Sequence, residues 1–283
     1  MKELEFIKMQ SLGNDFVMLD GVSEHIRISE SIARKIADRH FGIGCDQIIL
    51  AEPGTDGSEL RMRIFNTDGS EVGQCGNGAR CFAAFVRDKG LAASDHIQVQ
   101  TSTTHLTLEI ESEQRVSVGM GRPCFEPSEI PLRVPAASDL YAFSHAGCGY
   151  EFAAMSLGNP HCTFLVDDVD HAPLEEIGPI LQNHTLFPER VNAGFAQVVS
   201  RTEIRLRVYE RGVGETLGCG SGACAAAVLL MRQGKLDDQV SVQLPGGSVD
   251  VSWCGQQGEV VLAGPVSYVF EGVFKIAPMS GVA

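Results

Sequence analysis

The chain repeats itself. Residues 60–81 read LRMRIFNTDGSEVGQCGNGARC and residues 204–225 read IRLRVYERGVGETLGCGSGACA, each with one cysteine at the mouth of a glycine-rich turn. Cys75 and Cys219 lie 144 positions apart in a chain of 283 residues. The match runs beyond the turns: Leu12-Gly13-Asn14 recurs as Leu157-Gly158-Asn159, Ile32 and Ile36 as Ile177 and Leu181, Ile97 and Val99 as Val240 and Val242, and Val116 as Val260. All of these offsets are 143 to 145, so the element order has been kept. A duplicated chain of this kind folds as two like halves, one thiol in each, and the geometry suggests a single substrate with a thiol on either side.

The periodicity fills in the halves. Alternating apolar runs at Arg61–Phe65, Ile97–Gln100, Leu106–Ile110, Val116–Val118, Ile204–Tyr209, Val240–Gln243 and Val249–Val251 predict half-buried antiparallel strands. Helices are expected near 29–40, 76–89, 173–182 and 220–233. Gly90 and Gly234, each preceded by basic residues, read as left-handed helix caps. CFAAFV and CAAAVLLM are apolar on nearly every side, the mark of a helix buried within its own domain. The expected fold class is α+β: two pseudo-symmetric domains from an internal duplication, each a strand-rich, barrel-like unit around a central helix, with the active site in the interdomain cleft. The Gly/Pro stretch from Gly119 to Pro135 marks the boundary. The N-terminal half, carrying Cys75, is expected to comprise residues 1–119 plus about 265–283, with Tyr268–Ile276 crossing back onto it; residues 120–264 make the half carrying Cys219.

Composition excludes several function classes. A net charge of −14 argues against nucleic acid and anionic membrane as partners. No apolar run approaches the roughly 18 residues of a membrane helix, and the start MKELEFIKMQ is too charged for a signal-peptide core. Nine cysteines, an odd number without CxxC pairs, fit reduced thiols and a cytoplasmic location. The sequence offers no pyridoxal-phosphate lysine site, no GxGxxG before a suitable helix and no metal-spaced His/Cys cluster, so neither cofactor nor metal is expected.

The chemistry gathers at the two turns. Each cysteine stands where a loop gives way to a helix, and a helix N-terminus exposes unpaired N–H groups and positive dipole. That setting favours thiolate and is expected to lower both cysteine pKa values. The amides of Gly76, Asn77, Gly220 and Ser221 can cradle a carboxylate, and glycines at 76, 78, 220 and 222 are expected to let backbone approach a ligand. One thiolate could then remove an α-proton while the opposing thiol returns one to the other face. Asn14, Asn66 and Asn159 read equally well as turn formers, His161 as a loop histidine and Glu210-Arg211 as a solvated strand end. Arg205 and Arg207 are assigned to solvent, and Cys45, Cys81, Cys124, Cys148, Cys162, Cys224 and Cys254 to small core positions.

Five segments in order, KMQSLGNDFVMLD, GCDQIIL, FNTDGSEVGQCGNGARC, SLGNPHC and YERGVGETLGCGSGACAAA, make the whole chain resemble the diaminopimelate epimerases. The resemblance implies interconversion of LL- and meso-diaminopimelate, a small-molecule step in lysine and peptidoglycan precursor synthesis, without pyridoxal phosphate. It implies Cys75 and Cys219 as acid/base thiols, tuned by His161 and Glu210. Asn14, Gln47, Asn66, Gly76, Asn77, Asn159, Asn192, Glu210, Arg211, Gly220 and Ser221 would form the substrate-binding set. Tyr268 matches a dimer-contact position, implying a homodimer. Rival readings are a proline-type racemase, which has no need of the Glu210-Arg211 clamp, a phenazine-type isomerase, which has no need of paired cysteines, and a redox or binding module that bridges the two thiols.

Overall fold

A computed structural model describes residues 2–55, 57–255 and 258–276. The chain divides into two compact units, residues 1–118 with 265–283, and residues 119–264.

The first unit contains β1 (Lys2–Ser11), β2 (Asn14–Asp20), α1 (Glu30–Ala37), β3 (Gln47–Pro53), β4 (Leu60–Asn66), β5 (Glu71–Val72), α2 (Gly76–Asp88), β6 (His96–Gln100), β7 (His105–Ser112) and β8 (Arg115–Gly119). The second contains β9 (Tyr141–His145), β10 (Cys148–Ser156), β11 (Pro160–Leu165), α3 (Leu174–Gln182), β12 (Asn192–Ser200), β13 (Glu203–Glu210), β14 (Gly214–Glu215), α4 (Gly220–Arg232), β15 (Gln239–Leu244), β16 (Gly247–Ser252) and β17 (Val261–Pro265). The last strand, β18 (Ser267–Ile276), returns to pair antiparallel with β1.

The fold is α+β, and the pairing rules of the two units match strand for strand. The parallel pair β2–β3 corresponds to β11–β12, the antiparallel pair β3–β4 to β12–β13, and the parallel pair β4–β6 to β13–β15. Where β9 flanks β10 in the second unit, β18 flanks β1 in the first.

Burial explains the architecture. Within β2 and β3, Val17, Leu19, Ile48 and Leu50 pack into one core with Ala33 and Ile36 of α1. Their neighbours Phe16, Met18, Ile49 and Ala51 are equally buried on the other face, where α2 packs on β1, β2, β3 and β7. Strands covered on both faces read as continuous apolar runs, as parallel pairs usually do. In the second unit, Phe164, Ala193 and Phe195 lie with Leu174, Ile177 and Leu181 of α3, and α4 packs on β10–β13, β15 and β16. Each central helix is buried nearly throughout: residues 77–86 of α2, and Gly220 and 222–231 of α4.

Both central helices end as their sequences predict. Gly90 and Gly234 adopt φ of 67° and 71°, and the residues after them, Leu91 and Lys235, donate back to Val86 O and Leu230 O. The first helix stops earlier than expected, at Ala37. Asp38 turns extended, its carboxylate accepts the amides of His40 and Phe41, and the N–H groups of Ile43 and Gly44 close on Ile36 O. Three cysteines assigned to the core lie outside it: Cys148 and Cys254 are exposed and Cys124 half-buried. Cys148 follows a tight β9–β10 turn in which Ala146 and Gly147 both take positive φ, so it sits at a hairpin tip.

Candidate active site

The topology sets the site at one end of each unit. Parallel strands β2 and β3 start there, antiparallel β4 ends there, and α2 begins there. That places Asn14, Gln47 and Asn66 at adjacent strand ends beside Cys75, with Gln47 and Asn66 direct register partners. The second unit does the same with β11, β12, β13 and α4, bringing Asn159, His161, Asn192, Glu210 and Arg211 to Cys219; His161 and Asn192 are register partners.

Cys75 is the N-cap of α2, with extended φ and ψ of −153° and 107°. Its half-buried Sγ accepts the Gly78 N–H at 3.4 Å and lies 3.9 Å from Asn14 Oδ1. Asn14 Nδ2 donates to Asp46 at 2.8 Å, and Asn77 Nδ2 approaches Asn14 Oδ1 at 3.5 Å. Asn77 Oδ1 in turn accepts from Arg80 Nη2 at 2.6 Å, and Arg80, fully buried, also donates to Ser11 Oγ. Gln47 Nε2 donates to Asn66 Oδ1, whose own amide reaches Ser70. Gln47 Oε1 is buried with no hydrogen-bond partner among the described residues.

Cys219 is the N-cap of α4, and its surroundings differ. Only 4% exposed, its Sγ donates to Glu210 Oε2 at 3.1 Å. Thr216 Oγ1 donates to the other carboxylate oxygen at 2.5 Å. Burial first, then the charge and hydrogen bond of Glu210, push the Cys219 thiol well above its ordinary value, outweighing the Gly222 amide and the Ser221 hydroxyl. The sequence-based expectation that the helix N-terminus lowers this pKa is therefore reversed. Cys219 rests as a protonated thiol aimed at a carboxylate.

Glu210 contacts the thiol directly, whereas His161 reaches it only through Asn159 and Ser221. Its Nε2 meets Asn159 Oδ1 at 3.0 Å, and Asn159 Nδ2 approaches Ser221 Oγ at 3.4 Å. Burial, reinforced by the Arg211 charge, lowers the His161 pKa to about 3, so the ring is neutral at physiological pH. Asn192 bridges Pro160 O and the Arg211 backbone amide, leaving the Arg211 guanidinium in an exposed position beside Glu189 O.

Two of the turn glycines are required by the packing of the protein itself. A Cβ at Gly78 would lie 2.6 Å from Ile49 Cδ1 and 3.4 Å from Cys75 Sγ; one at Gly222 would meet Val208 Cγ2 at 3.0 Å and Cys219 Sγ at 3.1 Å. They let the helix close on its strand and leave room for sulfur. Tyr268 stands apart from the Cys75 turn, on β18, where its hydroxyl donates to Asp88 at the far end of α2. Sequence reasoning missed Asp46, Arg80 and Thr216. The one signal for the first was its place inside GCDQIIL, next to Gln47.

A family model described as diaminopimelate epimerase matches residues 6–126 and 153–269. A diaminopimelate epimerase of Thioalkalivibrio sulfidiphilus (strain HL-EbGR7) is 49% identical over 276 residues, spanning 96% of this chain and 99% of the relative. Among solved structures, a probable proline racemase from Agrobacterium radiobacter K84 matches with a TM-score of 0.69 at 12% identity, over 97% of this chain and 93% of that one. A PhzF-family phenazine biosynthesis protein of Bacillus anthracis matches at 0.66 and 16%, over 98% and 100%. At those identities the likeness is one of fold.

Proposed function

Because the chain belongs to the diaminopimelate epimerase family, we propose that it interconverts LL- and meso-diaminopimelate by proton transfer between two thiols, Cys75 and Cys219, one on each face of the α-carbon. The observation that carries this reading is the pair of cysteines at equivalent helix N-termini, one of them held as a proton donor against Glu210.

In the first half of the reaction a thiolate takes the α-proton, an S–H bond forms and the C–H electron pair passes toward the α-carboxylate. In the second half the opposing S–H breaks, its proton goes to the other face of the carbon and that sulfur is left as thiolate. The helix-start amides at Gly76-Asn77 and Gly220-Ser221 hold the carboxylate where this charge develops, which is where preorganised donors stabilise most. Protonated Cys219 suits the donor role. Glu210 accepts its proton when the reverse direction requires a thiolate there.

The remaining residues answer the substrate's second amino-acid centre. The exposed Arg211 guanidinium offers a two-pronged site for the distal carboxylate. Glu210 and the unpartnered Gln47 Oε1 are acceptors for ammonium protons, and Asn66, Asn159 and Asn192 complete the polar lining. The chemistry draws on the chain's own thiols, amides and carboxylates, and asks for no cofactor. The exposed Tyr268, Val269, Phe270 and Val273 of β18 are the surface we assign to a homodimer contact.

Proton NMR of LL-diaminopimelate in D₂O with reduced protein tests the reading. Deuterium at one α-carbon together with meso product is the expected result. Exchange into L-proline but not diaminopimelate would overturn the substrate; no exchange into either would overturn the reaction.

A further inference from the structure

The Cys75 turn contains two side-chain amides whose orientation is dictated by charges at either end. Asp46 carries only acceptors, so the Asn14 group facing it at 2.8 Å is Nδ2. Arg80 carries only donors, so the Asn77 group facing it at 2.6 Å is Oδ1. The remaining ends then meet in the one sense that makes a hydrogen bond, Asn77 Nδ2 toward Asn14 Oδ1. That same oxygen is the atom turned to Cys75 Sγ. We propose that Asp46 and Arg80 are positioning residues that lock Asn14 and Asn77 in one orientation, so that a carbonyl oxygen rather than an N–H faces the Cys75 thiol.

Each end of this relay is itself anchored. Arg39 donates to Asp46 at 2.7 Å and bidentately to Asp15, which also pairs with Lys8 at 2.6 Å. Burial pushes the Asp15 carboxyl up, but hydrogen bonds from Arg39 and Lys8 outweigh it and hold it at about 2. Arg80 is clamped from the other side by Ser11 Oγ, which donates onward to Pro265 O. Among the described residues, the charged groups around the turn include Lys8, Asp15, Arg39, Asp46 and Arg80, together with Asp68 and Glu71 in the segment before it. Asp68 is engaged by Ser70, and Glu71 by Arg63.

The consequence concerns a thiol that must both take and give a proton. Gly78 N–H stabilises the thiolate; a carbonyl oxygen at Asn14 stabilises the thiol. With the amide turned round, the Gly78 and Asn14 N–H groups would both favour thiolate, and Cys75 would part with its proton more readily. This inference rests on the acid/base role proposed for Cys75. The second unit arranges its amide differently: Asn159 is oriented by neutral His161 and Ser221, and its thiol faces a carboxylate.

The test is the pH dependence of iodoacetamide alkylation at Cys75, followed by peptide mass mapping in the full-length reduced protein. Asp46 has a side chain 44% exposed, so Asp46→Asn is a surface change. The amide it introduces can donate to Asn14 Oδ1 and release the relay to turn. The expected result is a midpoint lower by about one unit, roughly tenfold more thiolate at a given pH. In an Asn14→Leu background, Asp46→Asn is expected to shift nothing, because the effect runs through the amide. An unmoved midpoint in folded Asp46→Asn protein would overturn the assignment. So would an equal shift in the Asn14→Leu background, which would make Asp46 a through-space charge. Alkylation reads the thiol without turnover: inactivity toward diaminopimelate sinks the proposed function and not this relay. An active Asp46→Asn enzyme with an unshifted midpoint sinks the relay alone.

Discussion

The two cysteine turns share one backbone plan and differ in what surrounds the sulfur. Aligning the units strand by strand sets Asn66 opposite Glu210, Phe16 opposite His161 and Val72 opposite Thr216. The first turn is half-buried and lined by amides, with its charges, Asp46 and Arg80, held one side chain back from the sulfur. The second is buried and has the carboxylate in contact. The shared backbone plan supplies two equivalent places for a thiol, and the different side chains around them make the thiols chemically unlike. Under the two-thiol reaction proposed above the two substrates are different epimers, and unlike thiols suit unlike substrates.

Removing either thiol tests the shared part of that comparison and carries the largest effect. Cys75→Ala and Cys219→Ala are each expected to lower epimerisation roughly 10²–10⁴-fold, the range of a lost general acid or base, in the D₂O exchange assay. Near-full activity in either variant would mean that the turns are equivalent in fold only.

The unlike part is tested at Glu210. Glu210→Gln removes the second cause of the raised Cys219 pKa and leaves the first, burial. The alkylation midpoint of Cys219 is therefore expected to fall while staying above that of an ordinary cysteine, and turnover to drop by roughly 10²-fold. The matching change in the first unit, Asn66→Ala, is expected to leave the Cys75 midpoint in place, since Asn66 touches Gln47 and Ser70 instead. A shift at Cys75 as large as that at Cys219 would erase the distinction.

Much of this was legible in the chain. The constant offset of the repeat implied the element order. The Cys-Gly-Asn-Gly and Cys-Gly-Ser-Gly turns implied helix starts, because glycines and small polar residues before an apolar run have few other uses. What stayed hidden depends on tertiary distance. That Cys219 is a protonated thiol follows from Glu210 at the end of β13 meeting the start of α4, and from burial that no local pattern encodes. Arg80 reads as one more charge in GARC, yet it is fully buried beneath the amides. Cys148 and Cys254 looked like their core counterparts in composition, and only the hairpin and loop geometry put them in solvent.

His161 and Phe16 give a smaller contrast, in stability. The His161 pKa is about 3 in the folded protein against an ordinary 6.5. A depressed folded value means that the unfolded chain binds the proton first. The contribution is complete above about pH 6.5 and is lost as pH falls toward 3, at about 1.4 kcal/mol per unit for this one site. His161→Phe, which copies the first unit, is expected to flatten that part of the urea-midpoint profile between pH 6.5 and 4.5. An unchanged slope would place the acid sensitivity elsewhere.

The glycines three residues beyond each cysteine give the smallest effects and the finest comparison. Alanine is the better helix former by about 1 kcal/mol, so in an open helix either substitution would stabilise. Neither site is open. At Gly78 the new methyl meets Ile49 Cδ1 at 2.6 Å, with Phe16 Cε1 at 3.3 Å and Cys75 Sγ at 3.4 Å behind it, so the end of the Ile49 side chain must move within a fully buried core. At Gly222 the nearest atoms are Val208 Cγ2 at 3.0 Å and Cys219 Sγ at 3.1 Å, which a shift of a few tenths of an ångström relieves. Gly78→Ala is thus expected to cost about 1–3 kcal/mol, the usual penalty of overpacking, and Gly222→Ala less. Two of the three atoms nearest the new methyl belong to Cys219, so the expected adjustment moves the sulfur and loosens its 3.1 Å contact with Glu210. Gly78→Ala should therefore show mainly as a lower melting temperature, and Gly222→Ala mainly as slower turnover with a lower Cys219 alkylation midpoint. The reverse pattern would show that the Cys219–Glu210 contact tolerates displacement, and that the unlike half-sites owe their difference to burial alone.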